Sequence, residues 1–236
     1  MEKQASEEIL LKSKDFFRTE FTPRHLKNTK KLIKVSEFNP NPFLWEYLAT
    51  FLCGNNDPVS MARALIYPRV LGTSVTTTFG NVMQKFCSKV LEGFGSKVSG
   101  IDIEFIDNKD GQKKYCQLKS GPDSLNKDDI DTVKNNFKKI QNLALRNNMP
   151  INLGDLVVGV IYGEEKDLNS FLRVLQQSYN VYVGNEFWTR LTGDDTFYFR
   201  LIKIFSEVAR EAEGASILED VITKLAKDIE ISRNTK

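Results

Sequence analysis

Asp102 and Glu104 in the segment GIDIEF, followed shortly by Gln117 and Lys119 in YCQLKSG, are the residues whose types and spacing suit catalysis. A carboxylate such as Asp102 offers hard oxygen to a divalent cation, and Glu104 or the Gln117 amide oxygen can extend the donor set. A cation held there lowers the pKa of a bound water and neutralises charge building on a phosphate. Lys119 adds a compact positive charge beside the attacking water or the phosphate. Together these groups suit hydrolysis of a phosphodiester.

Two strands must position them. VSGIDIEFID (98–107) and KKYCQLKSG (113–121) alternate apolar and polar residues, and NKDG (108–111) between them is a strong turn signal, so a hairpin is expected. Period-two geometry places Ile101, Ile103, Phe105, Cys116 and Leu118 on an apolar face. It places Asp102, Glu104, Gln117 and Lys119 together on the other. A polar strand face is by itself the mark of a solvated sheet. Three features favour a site: the tight turn that makes the two short motifs face each other, the flanking Gly100 and Gly121 where backbone can approach a ligand, and the small-residue loop SGPDS with room for a phosphate.

Around the hairpin the chain alternates helices and strands. Residues 5–18 carry an amphipathic pattern with Ile9, Leu10, Phe16 and Phe17, and Pro23 allows a new helix over 24–35. NPNP at 39–42 breaks the chain before a helix over 43–53. Asp57 caps a helix over 58–67 that Pro68 ends. A run of small and hydroxyl residues (68–80) then precedes a helix over 81–91, with Val82, Phe86 and Val90 on one face and Gly93 and Gly95 closing it. Beyond the hairpin the pattern predicts a polar helix over 127–146, a buried strand at 154–163, a helix at 166–177 and a strand at 180–184. Helices near 185–191, 195–212 and 215–230 finish the chain, and the aromatic-rich 185–199 reads as core rather than as a base-stacking platform. The sum is an α/β domain in which an antiparallel hairpin leads into a β-helix-β crossover. Residues 1–70 form a helical N-terminal region suited to DNA binding or dimerisation, and 71–236 the core.

Composition removes other chemistries. The 236 residues suffice for a sizeable core without disulfides or structural metal. Cys53, Cys87 and Cys116 are scattered, without a CxxC pair, which disfavours zinc ribbons and secreted disulfide frameworks. The single histidine, His25, excludes paired-histidine nucleases and lies in a basic stretch without obvious triad partners. Neither GxxxxGK[ST] nor GxGxxG occurs. A net charge of +2 announces no polyanion, so an anionic ligand must be held by local patches such as Arg18, Arg24, Lys27, Lys30, Lys31 and Lys34. The start lacks the order of a signal peptide and no apolar run is long enough for a bilayer. A cytoplasmic protein with reduced thiols is expected.

GIDIEF, the tight turn and YCQLKSG resemble the core of the PD-(D/E)XK nuclease superfamily, with FGNVMQKFCSKVLEGFG (79–95) standing where its helix precedes the first strand. NPFLWEYLATFL, ARALIYPRVLGTSVTTTFG and VYVGNEFWTRLTGD extend the resemblance, over about Asn41 to Phe205, to type II restriction endonucleases that cut interrupted GG/CC palindromes of the RGGNCCY or GGNCC type. The resemblance implies a restriction-endonuclease-like mixed sheet flanked by helices, Mg2+ (with Mn2+ as substitute), double-stranded DNA, a homodimer, a bacterial or archaeal cytoplasm, and a cognate methyltransferase in the host. Carried over, Asp102 is the metal-binding acid, Gln117 stands at the second acid, Leu118 offers its backbone carbonyl to the metal, and Lys119 is the catalytic lysine. Gln117 departs from the usual carboxylate, so metal affinity should fall unless Glu104 or Glu92 compensates.

For DNA, Arg69, Ser74, Thr76, Thr77, Lys113 and Lys127 are candidate contacts, each weighed against an ordinary role as ion-pair partner, capping hydroxyl or solvated cation. A structure-specific repair or junction-resolving nuclease of the same fold, a catalytically degenerate DNA-binding module, and an interaction protein docking through its N-terminal helices stay open.

Overall fold

The computed structural model describes residues 2–91, 94–148 and 150–234. The chain begins with α1 (Glu2–Phe16) and α2 (Thr22–Lys30), joined by a π-helical turn over Phe17–Phe21. Then come α3 (Pro42–Cys53), α4 (Pro58–Pro68) and, past a second π-helical turn over Arg69–Ser74, α5 (Val75–Val90). The sheet and its crossovers follow as β1 (Ile103–Ile106), β2 (Lys113–Lys119), α6 (Lys127–Arg146), β3 (Leu156–Val160), α7 (Ser170–Gln176) and β4 (Asn180–Val183). α8 (Asn185–Thr192), α9 (Phe197–Glu211) and α10 (Gly214–Asn234) complete the order.

Helices start and stop where capping residues stand. Asn41 accepts the Phe43 N–H and Asp57 accepts the Ser60 N–H at 2.7 Å, starting α3 and α4. Gly54, at φ +78, ends α3 in the left-handed conformation that favours glycine. Asn126 and Asp129 form a reciprocal capping box that starts α6.

Two expectations fail at prolines. Residues 69–80 are helical, so α5 begins at Val75 rather than Asn81. Pro68 lacks an N–H and its ring crowds the carbonyl one turn back, yet the chain runs on past it into a wider π turn, so the helix bulges instead of ending. The turn before Pro23 behaves likewise, and α2 ends at Lys30 rather than near Val35. Gly93, expected to help close α5, lies outside the described residues.

The sheet order is β1-β2-β3-β4, antiparallel for the first pair and parallel for the others. It is thus a mixed sheet flanked by helices, with the hairpin and the crossover through α6 where the patterning places them.

The chain falls into two compact units, neither continuous in sequence: Met1–Lys14 with Met83–Ile204, and Asp15–Val82 with Phe205–Lys236. The first holds the sheet. One face packs Tyr115, Leu156, Val158, Val160, Val181 and Val183 against Val133, Phe137 and Ile140 of α6 and Leu172 and Leu175 of α7. On the other, Phe187 approaches Gly159 and Cys116, and Phe187 stacks edgewise on Trp188, which meets Phe86 and Phe197. The aromatic run is therefore core, with Phe199 its exposed exception. The second unit is helical, built on Met61, Ala62 and Ile66 of α4 and Val221, Ile222, Leu225 and Ile229 of α10. No helix among the described residues is long and apolar enough to cross a membrane.

Candidate active site

β1 and β2 pair with Ile103 opposite Cys116 and Ile106 opposite Lys113. The strand before Ile103 is shorter than expected: Gly100, at φ +87, turns the chain, so Asp102 stands just ahead of β1. Asp102 still docks on β2. Its N–H donates to the Cys116 carbonyl at 3.1 Å, and its Oδ2 accepts the Leu118 N–H at 2.7 Å. Asp102, Gln117, Leu118 and Lys119 therefore gather at the open end of the hairpin. There β2, β3 and β4 finish at Lys119, Val160 and Val183, the carboxyl ends of the parallel strands.

The opposite end is anchored. Asp107, fully buried, pairs with the Arg190 guanidinium at 2.7 Å, and Arg190 lies over the Tyr182 ring at 4.1 Å. The Asn108 side chain donates to the Arg190 and Leu191 carbonyls.

The polar face is solvated at Asp102 but not, as the alternation implied, at Gln117. Gln117 is only 5 % exposed and pairs with Val158 in the middle of the sheet. β2 is an interior strand parallel to β3, and parallel strands are covered on both sides. Inside that cover the Gln117 Nε2 donates to the Gly100 carbonyl at 2.6 Å. A carbonyl only accepts, so this contact fixes the amide orientation and leaves Oε1 as the remaining acceptor.

Asp102 is exposed at its edge, yet burial is the largest influence on its carboxyl and pushes the pKa up. The Leu118 hydrogen bond and the Lys119 charge pull down without cancelling it. Glu104 is engaged elsewhere: Ser96 Oγ donates to one oxygen at 2.5 Å and Lys113 Nζ meets the other at 2.6 Å. Burial raises its pKa, but these hydrogen bonds and the Lys113 charge outweigh it and the net shift is downward. Lys113 is correspondingly raised by Glu104 and lies 5.2 Å from the Tyr115 ring. Glu92, the other acid considered, lies outside the described residues.

The donor chemistry suits a hard divalent cation. In a strand the N–H and C=O of one residue leave on the same side. The Leu118 N–H points to Asp102, so the Leu118 carbonyl points there too, away from β3. One Asp102 oxygen, the Gln117 Oε1 and the Leu118 carbonyl are all oxygen donors, the kind that Mg2+ takes. Among the described residues no group of three or more His, Cys, Asp or Glu side chains converges.

Gly100 and Gly121 do approach neighbours closely, but the neighbours belong to the protein. A Cβ at Gly100 would meet Asn136 at 2.6 Å, and one at Gly121 the Tyr162 ring at 2.3 Å. In the loop after Gly121, Ser124 Oγ donates back to the Gly121 carbonyl.

The DNA candidates divide. In the helical unit Arg69, Ser74 and Thr77 line one cleft of about 340 Å³ with Asn28, Lys31, Thr73 and Asn81. Thr76 instead donates to the Gly72 carbonyl, one turn back in its helix. Lys127 is exposed at the start of α6. Asn28, within the basic segment RHLKNTKK, lines the same cleft as Arg69. Of the basic patch, Arg18 pairs with Glu211 and Arg24 with Glu20, while Lys27, Lys30, Lys31 and Lys34 are exposed. His25 sits 3.3 Å from the Val70 carbonyl.

The comparison with protein families now gives these features a class, that of the type II restriction endonucleases. Residues 19–213 match the model of the family described as Type II restriction endonuclease EcoO109I. The match covers well over half the chain, and the chain belongs to that family: it is a nuclease that hydrolyses DNA. No curated protein matches the sequence.

Proposed function

We propose that the protein is a sequence-specific type II restriction endonuclease of the PD-(D/E)XK kind that cuts double-stranded DNA with Mg2+, for which Mn2+ can substitute. The observation that carries this reading is the gathering of Asp102, Gln117, Leu118 and Lys119 at one hairpin end, with the Asp102 carboxylate on the Leu118 N–H. The bound ion would supply a water of lowered pKa and positive charge for the phosphate. Asp102, the Gln117 Oε1 and the Leu118 carbonyl hold it. Lys119 orients the attacking water and offsets charge on the scissile phosphate. With an amide at Gln117 the site carries one negative charge fewer than a two-acid site, so it binds the ion more weakly.

The recognition site we assign is an interrupted GG/CC palindrome, read by a homodimer because a twofold protein meets equivalent half-sites. Arg69, Ser74 and Thr77, with Lys31 and Asn28 in the same cleft, contact the DNA, and Thr76, Lys113 and Lys127 contribute at the periphery. A cognate methyltransferase protects the host.

The test is incubation with Mg2+ and long unmethylated duplex DNA beside Asp102→Ala and Lys119→Ala. Discrete fragments that vanish with both substitutions support the reading, and their ends give the site. DNA that is bound but stays intact with Mg2+ and Mn2+ would instead favour a degenerate DNA-binding module, with Gln117 its mark.

A further inference from the structure

α3, PFLWEYLATFLC, is apolar almost all round, and a helix of that kind is ordinarily covered on every side. Here only one side is covered. Ala49 is fully buried, and Trp45 packs on the helical core with its Nε1 donating to the Met61 carbonyl at 2.9 Å. The opposite side carries Phe43 (89 % exposed), Leu44 (56 %), Tyr47 (62 %), Leu48 (42 %), Phe51 (78 %) and Leu52 (51 %). These stand at i, i+1, i+4, i+5, i+8 and i+9, which is one continuous stripe, and the Tyr47 and Phe51 rings stack along it at 6.0 Å.

The stripe carries no charge. Glu46, the charged residue of α3, is turned to Arg233 of α10 at 3.4 Å. A surface without cations does not suit the DNA backbone. A helix lying in a membrane surface would carry lysine or arginine beside its apolar face, and α3 has neither. The exposed part of the six side chains amounts to roughly 800 Å². That exceeds the apolar patch of a typical monomer and equals the share each partner contributes to a standard interface, of about 800 Å². Freedom from charge and a predominance of aromatic and aliphatic residues mark the centre of homodimer interfaces.

We infer that the α3 stripe is the surface on which a second copy of this chain docks, the two stripes packing on each other about a twofold axis. This deepens the homodimer reading proposed above and rests on it. It also gives the helical unit a role apart from the hairpin: joining two sites so that both strands of a palindrome are cut by one assembly.

The mass of the full chain in solution, measured by sedimentation or light scattering, tests it. The expected result is a dimer for the wild type and for a Phe199→Glu control, whose exposed ring lies on α9, and a folded monomer for Phe43→Glu/Phe51→Glu. Mixing that chain with Phe43→Lys/Phe51→Lys should restore the dimer. If the charged chains lose their helical circular dichroism, Phe43→Ala/Phe51→Ala answers instead. A dimer Kd raised tenfold or more supports the interface, and an unchanged one overturns it. A wild-type dimer that persists in the folded charged chains overturns this interface alone. A wild-type monomer removes the homodimer reading itself.

Discussion

Asp102 of the segment ahead of β1 holds the backbone N–H of Leu118 in β2 at 2.7 Å, so the acid is fixed to the strand that carries its partners rather than to its own. Oδ2 is thereby committed to that hydrogen bond.

Cleavage should depend on pH through the Asp102 carboxyl. Burial raises the Asp102 pKa, and a carboxyl must ionise to hold a cation, so cleavage should fall with decreasing pH above the usual carboxylate range. A raised folded pKa also means that this group favours the folded state below its unfolded pKa and loses that contribution as pH rises through the folded value. Asp102→Asn should abolish cleavage yet melt at a higher temperature than wild type at neutral pH, with the gap closing in acid. Thermal melts at both pH values check this; a lower neutral-pH melting temperature for the variant contradicts it.

Lys119 should act on rate rather than on affinity. Lys119→Ala is expected to lower the cleavage rate by about 100–1,000-fold, as loss of a preorganised positive group does, while DNA binding in Ca2+ changes little. Its charge also holds the Asp102 pKa down, so residual activity should fail at a higher pH than in wild type. Lys119→Arg should not rescue, because a planar guanidinium does not replace a compact ammonium. Single-turnover rates beside gel-shift titrations decide, and an unimpaired rate in the alanine variant removes Lys119 from the chemistry.

Gln117→Glu would restore the usual acid but set a carboxylate against the Gly100 carbonyl, two acceptors where a 2.6 Å hydrogen bond now stands. In this buried position the change should cost about 1–3 kcal/mol without metal. Added Mg2+ should recover stability in the variant more than in wild type, because the ion binds the folded state. Urea melts in EDTA and in Mg2+ give both quantities; equal stability in EDTA would show that the Gly100 contact contributes nothing.

Much of this arrangement is legible in the residues because its signals are local. Alternation on both sides of NKDG specifies the hairpin, and the continuous apolar run LVVGV specifies a strand buried on both faces. What escapes is set by distant partners. Alternation tells which side Gln117 takes but not that α6 roofs that side, so a buried amide reads as a solvated one. The small and hydroxyl residues of 69–80 read as irregular because their weak helix preference is overridden where Val70, Val82 and Met83 find buried positions. Glu104 looks equivalent to Asp102 in D-x-E, and only the placement of Ser96 and Lys113 separates them. Nor does any local pattern state that α10 returns to pack on α4.

The hairpin's far end yields a prediction that separates folding from catalysis. Asp107 is fully buried, and Arg190 is its ion-pair partner at 2.7 Å. Arg190→Ala leaves that carboxylate in the interior without its counter-charge, which should destabilise the protein by about 3–5 kcal/mol. Replacing both residues, as Asp107→Asn/Arg190→Ala, removes the stranded charge and should cost less than the arginine change alone. The turn lies at the opposite end of the hairpin from Asp102 and Lys119, so the cleavage rate per folded molecule should stay near wild type in both variants. Denaturant melts paired with cleavage assays at low temperature separate the two quantities. A rate that falls while the protein remains folded would mean that the Arg190 clamp sets the position of Asp102 along the strands.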